Sequence, residues 1–328
     1  MVKNRNLNRN EKPVAIHCSI FEVMPATILQ KIQKRIDRKF LKWTKNDRLH
    51  WLPDKFFLSW MFRVKMGYKL DWKNPRTLNE KLQWLKYYNH NPQYTELVDK
   101  YGVREYVKKA IGEEYLIPLL GVWENFEDID FQNLPQKFVL KCTHDSGGLV
   151  ICRDKNKMDK IEARTKIEKS LGSNYYYRWR EWPYKNIRPR IIAEQFMEDG
   201  RLGGLPDYKF FCFDGYVDCV MVCVDRHLHD VKFYFFDRNW KFMKPNIEVQ
   251  NLPDDFTIPK PDCINEMFDI AARLSKGLPF SRVDLYSVSG KIYFGEITFF
   301  PDSGYDTTFL KQADLAWGDK IILPPKQR

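Results

Sequence analysis

The run YKFFCFDGYVDCVMVCV, residues 208–224, constrains the fold more than any other stretch. Two aromatic and β-branched segments flank Asp214-Gly215. That dipeptide supplies the positive φ values that a two-residue hairpin turn requires. A chain with this hairpin must hold an antiparallel sheet. FVLKCTH, a glycine-containing turn and LVICRD predict a second hairpin, and IIAEQFM and VKFYFF read as further strands. Helical signals lie between them. They are TLNEKLQWLKYY with Thr77 as cap, YTELVDKYGVREYVKKAIG ending at Gly112, the stretch Lys160 to Leu171, and residues 262–276. Strand groups alternate with helices, so the expected class is α+β or mixed α/β.

A third hairpin, SRVDLYSVSGKIYFGEITFFPDSG from Ser281 to Gly304, carries charge where a core should be. Side chains alternate faces along a strand. Arg282, Asp284 and Tyr286 therefore share one face, and Phe294, Glu296 and Thr298 share another. A two-residue Ser289-Gly290 turn would pair Asp284 with Gly295 and send Glu296 to the opposite side. A three-residue Val288-Ser289-Gly290 loop, with glycine in the left-handed position, sets Arg282 opposite Glu296 and all three charges together. The three-residue loop is the expectation. Two carboxylates on one face need a cation between them. Arg282 supplies one as a buried ion pair. Magnesium, which prefers hard oxygens and is held by one or two carboxylates plus phosphate oxygens, supplies the other reading. Arg282 would then face a transferring phosphoryl group.

A phosphate site also needs a lysine and a close-approaching loop. FVLKCTHDSGGLVIC offers Lys141 on a strand, and Ser146, Gly147 and Gly148 at the next loop tip. The pattern is neither of the familiar glycine-rich phosphate loops. An apolar strand ending in Glu194 and Glu198, in IIAEQFMED, offers backbone and carboxylate partners for a base and ribose. His144 is a further candidate for phosphate contact.

Net charge is +11, and residues 1–50 carry most of it, with 12 basic against 4 acidic residues. Between Ala26 and Trp43, Ile28, Leu29, Ile32, Ile36, Phe40 and Trp43 recur at helical spacing among Lys31, Lys34, Arg35, Arg38, Lys39 and Lys42. This is a basic amphipathic helix, either docked with a solvated face or lying on an anionic membrane surface. No apolar run reaches the roughly 18 residues of a membrane helix. Seven cysteines without a CxxC pair fit a reducing compartment, and a disulfide between Cys142 and Cys152 is not expected. The expected location is cytoplasmic, with peripheral membrane contact open and no nucleic-acid partner. Three rival signals stand. Asp128-Ile129-Asp130 matches the DxD of some glycosyltransferases. His227 and His229 form an incomplete zinc set. Tyr175, Tyr176, Tyr177, Trp179 and Trp182 form an aromatic cluster able to pack or to stack on sugar rings.

Taken in order, LPDKFF from Leu52, NPRTLNEKLQWLK, DKYGVREYV, IGEEYLIPLLGVW, LPQKFVLKCTHDSGG, IIAEQFMED, LPDYKFFCFDG, SRVDLY and GEITFFPDSG resemble the TupA-like ATP-grasp family. That family occurs with teichuronopeptide and capsule synthesis. The resemblance spans about residues 51–318. It implies ATP held between two sheet-containing subdomains, with a helical N-terminal region. The implied division is a basic arm at 1–50, a helical region at 51–115, a small subdomain with phosphate lid at 116–200 and a metal-bearing subdomain at 201–328. By resemblance, Lys100 and Lys141 contact ATP phosphates under a Ser146–Gly148 lid, Glu194 and nearby hinge residues such as Glu198 hold adenine and ribose, and Lys209 points to the nucleotide. Asp284 and Glu296 ligate Mg2+, and Arg282 stabilises an acyl-phosphate transition state. Thr298 stands where D-alanine–D-alanine ligases carry asparagine, which bears on a second metal. The implied reaction joins a carboxylate to an amine through an acyl phosphate. Family context suggests a uronic-acid carboxylate on a polysaccharide or lipid-linked precursor and an amino acid. A glycosyltransferase or other polysaccharide-modifying transferase, an ATP-grasp phosphotransferase and a non-enzymatic polyanion binder remain as alternatives.

Overall fold

A computed structural model describes residues 26–45, 48–200, 204–225 and 231–327. The chain divides into two compact units, residues 1–48 and 49–328. In the first, helix α1 (Ala26–Lys45) forms where the apolar spacing predicts it. His227 and His229 lie outside the described residues.

The second unit is built on two antiparallel sheets. The smaller has four strands in the order β1 (Leu119–Trp123), β4 (Ile191–Gln195), β2 (Phe138–Cys142) and β3 (Leu149–Cys152). The larger has six. Its order is β10 (Lys291–Thr298), β9 (Ser281–Val288), β5 (Asp207–Phe213), β6 (Tyr216–Val224), β7 (Lys232–Phe236) and β8 (Phe242–Met243). Helix α6 (Lys160–Leu171) buries Ala163 and Ile167 against Phe138, Leu140 and Cys142 of the small sheet. Helix α8 (Ile264–Leu274) buries Met267, Phe268 and Ala271 on the large one. The same core takes in α3 (Leu78–Tyr88), α4 (Gln93–Val98) and α5 (Val103–Ala110). The helical stretch before residue 115 therefore packs directly on the large sheet. Helices α2 (Asp54–Met66), α7 (Tyr175–Trp179) and α9 (Lys311–Lys320) complete the set.

Local chemistry explains most boundaries. Thr77 and Glu80 form a reciprocal capping box at the start of α3. Asp214 and Gly215 adopt φ values of 49° and 84° between β5 and β6, the paired positive values of a tight hairpin. One predicted helix divides. The YTELVDKYGVREYVKKAIG segment breaks between Val98 and Val103, and the break projects Lys100 toward the small sheet, where its backbone N–H donates to Thr143 O at 3.1 Å.

The Ser281–Gly304 hairpin departs from expectation in an instructive way. Val288 pairs with Lys291, so the turn is the two-residue Ser289-Gly290, with φ of 52° and 80°, and not the three-residue loop. Yet Glu296 is not lost to the other face. Phe294 pairs with Leu285 and Glu296 with Asp284, leaving Gly295 as an extra, bulged residue. The bulge shifts the register by one. It separates Phe294 from the face that Glu296 and Thr298 occupy, and sets Thr298 opposite Arg282. A Cβ on Gly295 would meet Asp284 O and the Tyr286 ring, each at 2.9 Å. Gly295→Ala is therefore expected to destabilise the unit by about 1–3 kcal/mol through overpacking, read as a lower denaturant midpoint. A midpoint equal to that of the parent chain would remove the bulge as a constraint.

Candidate active site

Strands β5, β9 and β10 put their charges on one face because their registers agree. Lys209 pairs with Asp284, Asp207 with Tyr286, and Asp284 in turn with Glu296. The Arg282 guanidinium grips Asp284 with two bonds, Nε to Oδ1 and Nη2 to Oδ2, both 2.7 Å. Lys209 Nζ also donates to Asp284 Oδ2 and lies 2.8 Å from Asp207 Oδ2. Arg282 Nη2 further reaches Glu296 Oε1 and Thr298 Oγ1, each at 3.4 Å, and Thr298 Oγ1 donates to Glu296 Oε1 at 3.3 Å.

The cluster is buried at one end and open at the other. The Asp284 side chain is 2% exposed and that of Glu296 44%. Burial alone would raise the Asp284 pKa. Arg282 and Lys209 reverse that and hold it below the ordinary carboxylate range. Desolvation opposes the charge on Arg282 too, but Asp284 and Glu296 more than offset it and its pKa rises. The donors that a hard divalent cation prefers are all present: two carboxylates in register and a hydroxyl beside the more open one.

The small sheet supplies the facing wall. Lys141 Nζ donates to Glu194 Oε2 at 2.6 Å, and Arg104 Nη1 lies 3.4 Å from Glu194 Oε1. Lys100 Nζ donates to the carbonyl of Asp145, beneath the 146–148 loop, and burial pushes its pKa down. Ser146 and Gly147 are exposed, while Gly148 is packed. The Gly148 N–H donates to both Asp145 carboxylate oxygens, at 3.0 and 3.1 Å. A Cβ at Gly148 would meet Cys142 Sγ at 2.6 Å. The loop tip is thus exposed at Ser146 and Gly147 and pinned at its base.

Three cavities run in a line between the sheets. The central one, about 230 Å³, is bounded by Lys100, Lys141, Ser146, Glu194, Lys209, Asp284 and Glu296, with Gly148 also at its wall. It shares Lys141, Leu149, Glu194 and Tyr286 with a cavity of about 590 Å³ whose walls include Val139, Ile151, Phe196 and Leu205. Glu198 borders that apolar cavity and pairs with Lys137. On the other side the central cavity shares Asp145, Ser146 and Glu296 with a third, of about 660 Å³, bounded by Arg282, Thr298, Tyr175, Trp179 and Phe300. Of the residues that the family resemblance implies as nucleotide or metal contacts, all but Gly147 border one of these three cavities.

Other sequence candidates fall elsewhere. His144 is buried, with Nε2 3.0 Å from Ser170 O, and anchors the loop to α6. Asp128 and Asp130 sit on an exposed turn, taking hydrogen bonds from Asn125 and Asn133. Cys152 pairs with Phe138 and not with Cys142, and both thiols are free. The aromatic cluster divides. Tyr175 and Trp179 face the large cavity, whereas Tyr177 stacks on His50 and Trp182 on His90.

Sequence reasoning passed over the support of the PDSG turn. Asp302, Ser303 and Gly304 are three consecutive left-handed residues, with φ of 46°, 53° and 64°. Two side chains of α3 hold them. Lys86 Nζ donates to Ser303 O at 2.7 Å, and Gln83 Nε2 to Ser303 O and Gly304 O at 3.1 and 2.7 Å. Ser303 Oγ donates to Glu181 Oε1 at 2.6 Å. Burial lowers the Lys86 pKa to about 7 and raises that of Glu181, each opposed by the other's charge. The available signal was a glutamine and a lysine three apart on the buried side of an apolar helix.

A model of the TupA-like ATP-grasp family matches residues 80–322. No curated protein is significantly similar to the chain. Among solved structures, D-alanine–D-alanine ligase from Bacillus anthracis complexed with ATP is 15% identical, with TM-score 0.38, covering 69% of this chain and 63% of that one. L-amino acid ligase from Bacillus licheniformis is 13% identical, with TM-score 0.41 and coverages of 77% and 57%. The chain thus spans less than two thirds of the length of each of these ligases.

Asp284→Asn is expected to cost about 3–5 kcal/mol, because it leaves Arg282 and Lys209 buried on a neutral amide. Glu296→Gln, at the exposed end, is expected to cost well under 1 kcal/mol. Denaturant unfolding of both variants checks the contrast. Equal losses would contradict the assigned burial asymmetry.

Proposed function

Since the chain belongs to the TupA-like ATP-grasp family, we propose that it is an ATP-dependent carboxylate–amine ligase working through an acyl phosphate. The observation that carries this reading is the convergence of Asp284 and Glu296 with Lys100 and Lys141 on one narrow cavity, which adjoins an apolar pocket on one side and, on the other, a wider one walled by Arg282 and Thr298. The purine and ribose occupy the apolar pocket, with Glu194 and Glu198 at its edge. The phosphates lie in the central cavity under the 146–148 loop, against Lys100, Lys141 and Lys209. Mg2+, held by Asp284 and Glu296 with Thr298 beside them, would neutralise phosphate oxygen charge.

The chain's own residues do the rest by position and charge. A substrate carboxylate in the wide cavity attacks the γ-phosphate beside Arg282, and ADP leaves. The guanidinium is fixed by Asp284, so it meets developing negative charge without reorganising. The amine, once its ammonium form has given up a proton to solvent, attacks the acyl carbon; the C–O bond breaks, phosphate leaves with the oxygen and its electron pair, and the nitrogen loses a further proton as the amide forms. A uronic-acid carboxylate on a polysaccharide or lipid-linked precursor, joined to an amino acid, is the substrate pair this reading favours. The DxD reading loses support because its two aspartates are spent on a turn distant from these cavities.

Glu296→Gln is the clean variant, since its fold should persist. ADP release over a panel of acids and amines should fall by 10²-fold or more in Glu296→Gln and in Arg282→Met, the order expected for removing a charge-stabilising group. Undiminished turnover in both would end the ligase assignment. A phosphorylated product without an amide would instead favour phosphotransfer.

We also propose that α1 contacts an anionic surface. Ile32, Ile36 and Trp43 are 40%, 42% and 43% exposed along one stripe flanked by Arg35, Lys39 and Lys42. Deleting residues 1–48 should abolish salt-sensitive binding to phosphatidylserine vesicles while nucleotide binding survives. Vesicle binding that persists in the deletion would refute this role.

A further inference from the structure

The wide cavity past Arg282 has a charge character that the ligase reading does not assign. Its rim carries Glu248, Asp302 and Asp306, and Glu181 lies at its wall. Lys65 and Arg282 are the cationic residues that border it, and Arg282 is already committed to Asp284. Asp302 is exposed and holds a left-handed backbone that aspartate adopts at some cost. The latch from Gln83 and Lys86 onto Ser303 and Gly304 over-determines that conformation and keeps the Asp302 carboxylate at the cavity mouth.

A second, independent feature points to a ligand. Tyr305 borders the cavity, and its hydroxyl is buried, with the residue 7% exposed. It has no hydrogen-bond partner among the described residues. A buried phenol left unsatisfied costs about 1–3 kcal/mol unless something bonds to it. Lys86 holds the Tyr305 ring from one side, with Nζ 4.8 Å from the ring centroid, so the phenol is rigidly placed.

We propose that this cavity takes the amine co-substrate as its ammonium ion, with Asp302 and the Tyr305 hydroxyl as its recognition groups. The inference rests on the ligase reading. It adds that the acid and the amine are sorted by charge within one cavity, the carboxylate drawn to Arg282 and the ammonium to the acidic rim. Aromatic walls at Tyr175, Trp179 and Phe300 suit an apolar substituent of the amine, the Trp179 and Phe300 rings already facing Lys65 and Lys86. A carboxylate at this rim would meet like charge, so the site discriminates between the two substrates before any bond forms.

Two variants test this without disturbing the fold. Asp302→Asn keeps a residue that tolerates the left-handed conformation. Tyr305→Phe removes a hydroxyl that bonds nothing, so its stability should match or exceed that of the parent. The probes are L-alaninamide, a cation near neutral pH, its neutral N-acetyl derivative and glucuronate. Saturation-transfer NMR would follow them on the full chain with ADP and Mg2+. Alaninamide should bind at least tenfold more tightly than the acetylated probe. Each variant should weaken alaninamide at least fivefold and leave glucuronate unweakened. Equal affinity for the charged and neutral amides would overturn the proposal, as would unchanged alaninamide binding in both variants. So would glucuronate binding that the variants weaken, which would make this an acid site. ADP binding in the same samples separates the two ideas. If ADP binds and alaninamide is not selected, the amine site alone falls; if ADP fails to bind, the ligase reading falls with it.

Discussion

One carboxylate, that of Asp284, is shared by two cations in a nearly dry setting, and the arrangement of the site depends on that sharing. Arg282 approaches from its own strand and Lys209 from the neighbouring one, so the contact ties β9 to β5 at the level where the cavities meet. Buried charges are tolerable only when each is satisfied, and here every partner is fixed by strand register. On the ligase reading this has a consequence for metal binding. A divalent cation reaching Asp284 competes with two cations already in place. Metal affinity should therefore be low alone and rise when phosphate oxygens complete the ligand set.

The second constraint is a glycine that adds no side chain at all. The Ser289-Gly290 turn by itself would put Glu296 on the wrong face. The bulge at Gly295 restores it one residue later. The tight turn and the bulge together return Glu296 to the face that a longer loop would have given it, but opposite Asp284 and not opposite Arg282. A bulge aims side chains at a site while the strand as a whole continues in its sheet.

Much of this was legible in the sequence. Alternation on β9, the Asp-Gly turn, the Thr77 cap and the helix from Lys160 to Leu171 are local signals, and local physics decided them. The bulge was not legible, because it depends on how closely the Asp284 carbonyl approaches Gly295 from another strand. The break between α4 and α5 was hidden by continuous amphipathic spacing across Asp99–Gly102. His144 and the Asp128–Asp130 pair look functional as residue types, and only their partners show them to be structural. Glu181 and Tyr305 escaped notice because burial, and not sequence pattern, gives each its chemistry.

The latch of α3 onto the turn at 302–304 joins residues 220 apart in the chain. A ribosome delivers α3 well before Ser303. Until then Gln83 has no carbonyl to bond and the Lys86 ammonium must stay hydrated, since an uncompensated buried charge is too costly. Helix α3 therefore cannot settle fully before Ser303 has been made, and the cavity rim assembles after the strands of the small sheet have left the ribosome. In a nascent chain of this protein the small sheet comes before the mouth of the wide cavity.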